Sequence, residues 1–294
     1  KSSVPLDVDM LVEHITVPYY PHSVIFDCTS SAELPLKYIE WLEKGSHIIT
    51  PNKKAGAGPY EAYEKLMATC RSTGRRFLYE TTVGAGLPVI NTLQDLIRTG
   101  DRVHRVEGIV SGTLAWLFSH YDGTQPFSSL VRQARELGYT EPDPRDDLSG
   151  MDVARKTVIL AREMGYRVET DELSVTSLVP GQLRSADVPE FMSRLEELDA
   201  PMEKLYREAE ARGERLRYVG CVDEQGTCSV ALKSYPLDHP FAQTMGTNNV
   251  ISYTTDRYHE LPLVITGPGA GKEVTAAGVF ADLLRLCAYL GARL

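Results

Sequence analysis

An alternation of apolar and amphipathic segments in the first third of the chain constrains the fold most strongly. Residues 23–28, 46–50 and 76–79 are apolar and predict buried strands. Residues 34–44 and 60–71 lie between them and have the spacing of helices. Strand, helix, strand, helix, strand is the order of a parallel α/β sheet. We therefore predict such a sheet, with ligands gathering beyond the carboxyl ends of its strands.

The hydrophobic pattern changes in the last third of the chain. Residues 216–222, 228–235, 250–258 and 261–266 alternate or run apolar, and Asp223-Glu-Gln-Gly226 is typical of a hairpin turn. These segments predict an antiparallel sheet, whose apolar face must be covered. A subunit interface is a natural cover.

Length and charge exclude several classes of protein. At 294 residues the chain is long enough for two domains, and its net charge of −9 argues against nucleic acid as a partner. No apolar run in the sequence approaches membrane-spanning length, so no membrane partner is expected. The cysteines are odd in number and form no C-x-x-C pair, which indicates neither a zinc site nor a disulfide framework. We expect a reducing compartment, the cytoplasm or a plastid stroma.

Residues 139–156 contain a loop crowded with carboxylates. It holds Glu141, Asp143, Asp146, Asp147 and Asp152. Because like charges repel at short range, such a loop needs a cation, which a metal ion, an arginine or a substrate ammonium group would supply. Lys156 follows Asp152 by one helical turn, which by itself indicates an ordinary salt bridge. Beside so many carboxylates, we interpret it as a lysine that transfers a proton.

The same stretch makes local structural predictions. The prolines at 142 and 144 restrict the backbone, so a helix is predicted to begin only after them. Ser149 is a good N-cap, and Asp152 is expected to complete a capping box with it. From there, a helical stripe is expected to face the core: Val153, Thr157, Leu160, Ala161 and Met164.

Residues 139–156 resemble the active-site segment of homoserine dehydrogenases, including the dehydrogenase half of bifunctional aspartokinase–homoserine dehydrogenases. The resemblance covers nearly the whole chain and rests on further motifs: Asp27-Cys-Thr-Ser-Ser31, Thr50-Pro-Asn-Lys-Lys54, Glu80 to Pro88, Ser111-Gly-Thr113 and Gly267-Pro-Gly-Ala-Gly271. It implies a homodimeric enzyme that interconverts L-homoserine and L-aspartate 4-semialdehyde with NAD or NADP. That reaction belongs to the biosynthesis of threonine, methionine and isoleucine.

The resemblance also implies a division of the chain. A partial Rossmann-type nucleotide-binding domain would comprise residues 1–79 and 268–294, and an α+β catalytic and dimerisation domain would comprise residues 80–267. The chain is thus expected to be an α/β protein.

Roles for individual residues follow from the same resemblance. It implies that Lys156 is the general acid/base, oriented by Asp152, although Lys53 is an alternative for that role. The implied substrate-binding residues are Glu141, Asp147, Asp152, Gly112 and Thr113. The implied cofactor-binding residues are Thr29, Ser30, Lys53, Gly138 and Gly271. A monovalent cation, sodium, would be held at Glu80, Val83, Ala85 and Leu87.

The dinucleotide fingerprint G-x-G-x-x-G does not occur in this sequence. In the family it lies on the first strand and turn of the Rossmann unit. We therefore expect this polypeptide, taken alone, to dimerise but neither to bind NAD(P) tightly nor to oxidise homoserine. Two other classes fit some of these features: a metal-dependent hydrolase that holds Mg²⁺ in the acidic loop, and a non-catalytic binding subunit.

Overall fold

A small parallel sheet organises the first part of the molecule. The computed structural model describes residues 7–17 and 19–292. Its first three strands pair in parallel in the order β1-β2-β3, with Ile25 opposite Ile48. The strands are β1 Ser23–Phe26, β2 Ser46–Ile49 and β3 Phe77–Leu78. The predicted alternation of strands and helices is confirmed, although β1 is only half-buried.

Four helices accompany this sheet. They are α1 Val8–Ile15, α2 Tyr38–Glu43, α3 Lys53–Ala57 and α4 Tyr60–Thr73. A 3₁₀ turn precedes α2, and Gly45, with φ of 104°, follows its end. The residues after β2 begin a helix, which the sequence pattern did not predict. The Asn52 side chain caps it by accepting from the backbone N–H of Lys54, so Lys53 occupies the first turn of α3.

A six-stranded sheet forms the second part. Its order is β5-β7-β6-β4-β8-β9, and every pairing is antiparallel except that of β5 with β7. The strands are β4 Val103–Ile109, β5 Ser174–Val175, β6 Glu214–Asp223, β7 Cys228–Pro236, β8 Asn248–Thr255 and β9 Leu263–Pro268. The predicted antiparallel sheet is confirmed. The short parallel strand β5 is an addition that the sequence pattern did not indicate.

Nine further helices surround this sheet within the described residues. They are α5 Val89–Arg98, α6 Gly112–His120, α7 Phe127–Glu136, α8 Pro144–Leu148, α9 Met151–Glu163, α10 Val188–Ser193, α11 Asp199–Ala211, α12 Pro240–Gln243 and α13 Lys272–Tyr289. Helix α9 packs on one face of the sheet through its predicted stripe, of which Val153, Thr157, Leu160 and Ala161 are buried. A smaller apolar cluster on the opposite face joins Ile109 and Val219 to α6 and α12.

The structure corrects two predictions about the acidic loop. Helix α8 begins at Pro144 rather than after it. Asp143 caps the helix, and a proline is tolerated in the first turn because a backbone N–H at that position would have no partner within the helix. Ser149 is not the N-cap of α9. That position belongs to Gly150, whose φ of 77° is left-handed, and Asp152 forms no capping box. The Asp152 side chain is engaged by lysines instead.

Helix α13 connects the two parts of the molecule. It packs against β2 and against the segment that follows β3, where Asp282 accepts a hydrogen bond from the backbone N–H of Glu80 at 3.1 Å. At its other end, the Arg76 guanidinium lies 3.8 Å from the centre of the Tyr289 ring. Of the helices in the described ranges, none is sufficiently long and apolar to cross a membrane.

Candidate active site

Lys156 is a buried lysine on the inner face of α9. Its ammonium group donates to the carbonyl oxygen of Val110 at 2.6 Å and lies 2.7 Å from Oδ2 of Asp152. Burial lowers the pKa of Lys156, the charge of Asp152 opposes this effect, and the charge of Lys53 adds to it. A lysine whose pKa is lowered in this way can accept and release a proton more readily near neutral pH.

Asp152 lies between two lysines. Its Oδ1 is 3.3 Å from the Lys53 ammonium group, while Oδ2 faces Lys156. Burial alone would raise the pKa of Asp152, but the charges of Lys156 and then Lys53 hold it well below its usual range. The carboxylate therefore stays ionised and fixes both ammonium groups.

Asp147 and Thr113 form the opposite wall of the site. Oδ2 of Asp147 accepts from the backbone N–H of Glu141 at 2.8 Å, and Oδ1 lies 2.8 Å from the Thr113 hydroxyl. That hydroxyl is also 2.6 Å from the Tyr139 carbonyl, so its single proton serves one acceptor at a time. Burial raises the pKa of Asp147. The Glu141 carboxylate is exposed, and no side chain or backbone group in the described ranges donates to it.

These groups surround one pocket. A cavity of about 630 Å³ is lined by predicted residues from five separate segments: Gly112, Thr113, Gly138, Glu141, Asp147, Asp152, Lys156 and Gly271. Lys53 lines an adjoining cavity of about 490 Å³, which shares Glu141, Asp147 and Asp152 with the first. The structure thus brings together every predicted catalytic and substrate-binding residue.

Thr29 and Ser30 lie elsewhere, at the carboxyl end of β1. Thr29 donates to Oδ1 of the buried Asp27 through its backbone N–H at 2.9 Å and its hydroxyl at 2.6 Å. The adjacent strand ends border a largely apolar cleft of about 760 Å³, whose lining includes Phe26, Cys28, Pro51, Gly271 and Thr275. Gly271 borders both this cleft and the Lys156 cavity, so the two spaces meet there.

The loop that was predicted to hold a sodium ion, residues 80–87, contains a side-chain carboxylate and buried backbone carbonyls. The Glu80 carboxylate accepts from the backbone N–H groups of Ile90 at 2.7 Å and Asn91 at 2.9 Å, and thereby caps α5. Val83 and Ala85 are buried, and within the described part of the chain their carbonyl oxygens accept no hydrogen bond. Ala85 has a left-handed φ of 52°. Buried carbonyls without donors are suited to a hard cation.

Two carboxylates of the acidic loop form ion pairs with arginine or lysine side chains of the protein. Asp143 pairs with the Arg145 guanidinium at 2.6 Å, whereas Asp152 pairs with the two lysines described above. Within residues 7–17 and 19–292, no three His, Cys, Asp or Glu side chains are arranged to hold a metal ion. The geometry therefore gives no support to a Mg²⁺ site in this loop.

The pocket also contains groups that sequence reasoning missed. The Val110 carbonyl binds Lys156, and Thr247 and Ala270 line the cavity. A backbone carbonyl has no sequence signature, since every residue carries one. Thr247 lies in the turn just before β8 and nothing in its sequence neighbourhood suggests a site, so only the tertiary fold reveals it.

Comparison with known proteins identifies the family of the chain. The family model for homoserine dehydrogenase matches residues 88–284, and that for the homoserine dehydrogenase NAD-binding domain matches residues 1–80. A solved structure of a protein of unknown function from Candida auris superposes with a TM-score of 0.92 at 41% identity, covering 97% of this chain and 82% of that one.

Two curated relatives place the chain more closely. The bifunctional aspartokinase/homoserine dehydrogenase 2, chloroplastic, of Zea mays is 51% identical over 99% of this chain, which spans 32% of that protein. The homoserine dehydrogenase of Paracoccidioides brasiliensis is 46% identical over 90% of this chain, and the match covers 74% of its length. The chain therefore spans about a third of the bifunctional relative and most of the monofunctional one. By sequence and fold, it belongs to the homoserine dehydrogenase family.

Proposed function

We propose that this protein interconverts L-homoserine and L-aspartate 4-semialdehyde with NAD or NADP, a step in threonine, methionine and isoleucine biosynthesis. The observation that carries the proposal is the buried Lys156, held between Asp152 and the Val110 carbonyl in a pocket with further carboxylates. An amino-acid substrate brings an ammonium group for the carboxylates and a hydroxyl for the lysine. The pocket offers both partners.

Substrate binding is assigned to the wall opposite Lys156. Glu141 and Asp147 hold the homoserine ammonium group by charge-assisted hydrogen bonds. Gly112 and Thr113 complete this wall, since both line the same cavity. The Thr113 hydroxyl and the Glu141 N–H fix the orientation of Asp147, so that its remaining lone pairs point to the substrate.

Proton transfer is assigned to Lys156. During oxidation, neutral Lys156 accepts the proton of the substrate hydroxyl as the carbon-bound hydrogen leaves with its electron pair as hydride. In the reverse direction, protonated Lys156 returns the proton to the oxygen. Asp152 orients the ammonium group, and Lys53 polarises the same oxygen. Lys53 remains the alternative acid/base.

The cleft that meets the pocket at Gly271 fits a nicotinamide cofactor, because it is largely apolar and lies at the carboxyl ends of β1 and β2. When bound, the cofactor supplies the hydride acceptor or donor at C4 of its ring. Five residues are assigned to hold it: Thr29, Ser30, Lys53, Gly138 and Gly271. A sodium ion is assigned to the backbone oxygens of Glu80, Val83, Ala85 and Leu87, two of which lie in buried residues and lack donors in the described chain.

The organisation of the protein is part of the proposal. Residues 1–79 and 268–294 form the nucleotide-binding domain and residues 80–267 the catalytic domain. The protein is a homodimer through the six-stranded sheet. Its five cysteines, all within the described residues, are free thiols, which is consistent with the cytoplasm or a plastid stroma.

Replacement of Lys156 tests the proposed function. In this assay, which uses the full-length natural protein rather than the present polypeptide alone, wild type is expected to reduce NADP or NAD only when homoserine is added, followed by absorbance of the reduced nicotinamide. Lys156→Ala should lower kcat by about 10²–10⁴-fold, because the substrate proton then lacks an acceptor, while cofactor affinity stays near normal. Lys204→Ala, at an exposed position on α11, is the matched control. Near-normal turnover in Lys156→Ala would refute the assigned role.

A further inference from the structure

The helix that carries Lys53 lies along the helix that carries Asp152 and Lys156. Helices α3 and α9 pack against each other. Lys53 reaches Asp152 near their first turns. Further along, Gly56 lies so close to Ile159 that a Cβ added there would be 3.1 Å from Cγ1 of the isoleucine. This alignment sets where Lys53 can place its ammonium group.

Arg162, in the last turn of α9, holds the far end of α3. Its side chain is fully buried. Nη1 donates to the Gly56 carbonyl at 2.8 Å, and Nη2 donates to the Gly58 carbonyl at 2.7 Å. The carbonyl between them, that of Ala57, accepts from the Thr170 hydroxyl at 2.9 Å. All three carbonyls at the end of α3 are thus bound by groups from the proposed catalytic domain.

A further contact beside the end of α3 fixes the start of the next helix, α4. Glu169 accepts from the backbone N–H of Tyr60 through both carboxylate oxygens, at 2.9 and 3.1 Å, and so caps α4. The Arg162 guanidinium is 3.4 Å from this carboxylate. Since α3 has only five residues, it is too short to be stable or fixed in place without such tertiary contacts.

We propose that Arg162 is a positioning residue for Lys53: by holding the Gly56 and Gly58 carbonyls, it keeps α3 docked on α9 and sets the distance from Lys53 to Asp152 and Lys156. Arg162 itself touches neither the pocket residues nor the predicted substrate. This inference rests on the proposed function, because its consequences are read through homoserine oxidation.

Displacement of Lys53 has a predictable electrostatic effect. The charged groups that face Lys156 are Asp152 on its own helix, Lys53 from α3 and Asp147 from α8. The positive charge of Lys53 lowers the pKa of Lys156. If α3 moves away, that contribution shrinks and the pKa of Lys156 rises. The neutral form needed for oxidation then appears only at higher pH.

The test is a pair of charge-preserving variants in the full-length natural protein, purified. Arg162→Lys keeps a cation but loses the planar fork that binds two carbonyls, and it is expected to lower kcat about 10- to 100-fold, as a small misplacement of a reacting group does. Its pH–rate profile for homoserine oxidation should move to higher pH. Arg207→Lys, on the exposed surface of α11, is the control and should leave rate and profile unchanged.

A double-mutant cycle separates positioning from general damage. If Arg162 acts through Lys53, then Arg162→Lys in a Lys53→Met background should change kcat less than about twofold, because coupled residues are not additive. The Lys53→Met profile, already shifted to higher pH, should move no further. An equal loss of rate in both backgrounds, or a fall in rate without a pH shift, would overturn the inference.

Two outcomes require their own interpretation: failure of Arg162→Lys to fold, and absence of activity in the wild-type protein. If Arg162→Lys fails to fold, Thr170→Val replaces it, since this isosteric change removes only the donor to the Ala57 carbonyl. It should give the same pH shift with a smaller loss of rate, and an unchanged profile would overturn the inference. Absence of homoserine oxidation by the wild-type protein would refute the proposed function and this inference together, whereas an active wild type without coupling refutes only the inference.

Discussion

Two aspartates of the acidic loop, Asp147 and Asp152, have pKa values shifted in opposite directions. The pKa of Asp152 is lowered because lysines flank it, whereas burial raises the pKa of Asp147 and the hydrogen bonds from the Glu141 N–H and the Thr113 hydroxyl offset this only in part. Sequence spacing gave the Asp152–Lys156 pair correctly. It could not distinguish the two aspartates, because the partners of Asp147 come from Thr113, distant in sequence, and from a backbone group.

Substitution of Asp147 tests the assigned substrate contact. Asp147→Asn keeps the shape of the side chain but removes its charge, so the KM for homoserine should rise about 10- to 100-fold, with a much smaller change in kcat. Steady-state kinetics with varied homoserine measures this effect. Asp238→Asn, in an exposed loop, controls for the lost charge. A normal KM in Asp147→Asn would remove this residue from the substrate site.

Helices were predictable where their own periodicity determines them. The stripe on α9 was foreseen because its buried residues recur at helical spacing. The start of α9 was not, because Gly150 adopts a left-handed conformation and Asp152 is drawn to Lys53 from a different part of the chain. Helix α3 was also missed. Its end is held by Arg162 and Thr170, which no local pattern around residues 51–55 reveals.

The last residue of α9 gives a prediction about stability and pH. Burial raises the pKa of Glu163, whose carboxylate accepts from the Tyr79 hydroxyl and from Gln94 at 2.8 Å. A carboxyl whose pKa is higher in the folded than in the unfolded state favours folding at low pH. That contribution is complete below the unfolded-state pKa, about 4.3, and is lost as pH rises through the folded-state value.

Glu163→Gln should therefore remove this part of the pH dependence. Between pH 4 and 8, the Tm of wild type should fall relative to that of the variant as pH rises. Thermal unfolding across this range measures the difference. Glu208→Gln, exposed on α11, is the control. Parallel curves of Tm against pH for wild type and Glu163→Gln would show that ionisation of this carboxyl group does not destabilise the folded protein.

At the scale of the whole molecule, the six-stranded sheet has two unlike faces. One packs on α9 and belongs to the main core. On the other face, α6 and α12 cover only one region. Beyond that region a row of partly exposed side chains crosses three neighbouring strands, in which Ser252 of β8 lies opposite Glu107 of β4 on one side and Val264 of β9 on the other. Glu107 accepts from Arg105 at 2.5 Å and Lys233 at 3.2 Å, so this row carries both signs of charge. A surface of mixed charge can be complementary to its own copy about a twofold axis.

A substitution in this row tests the proposed homodimer. Ser252→Lys places a long cation beside Glu107, where a single chain can accommodate it, but a twofold interface would contain it twice at close range. We expect the wild-type mass in solution, measured by light scattering after size exclusion, to be that of a dimer. Ser252→Lys should shift it towards the monomer while the circular dichroism spectrum stays unchanged. Ser72→Lys, exposed on α4, should leave the mass unaltered. A monomeric wild type, or a dimer that tolerates Ser252→Lys, would place the interface elsewhere.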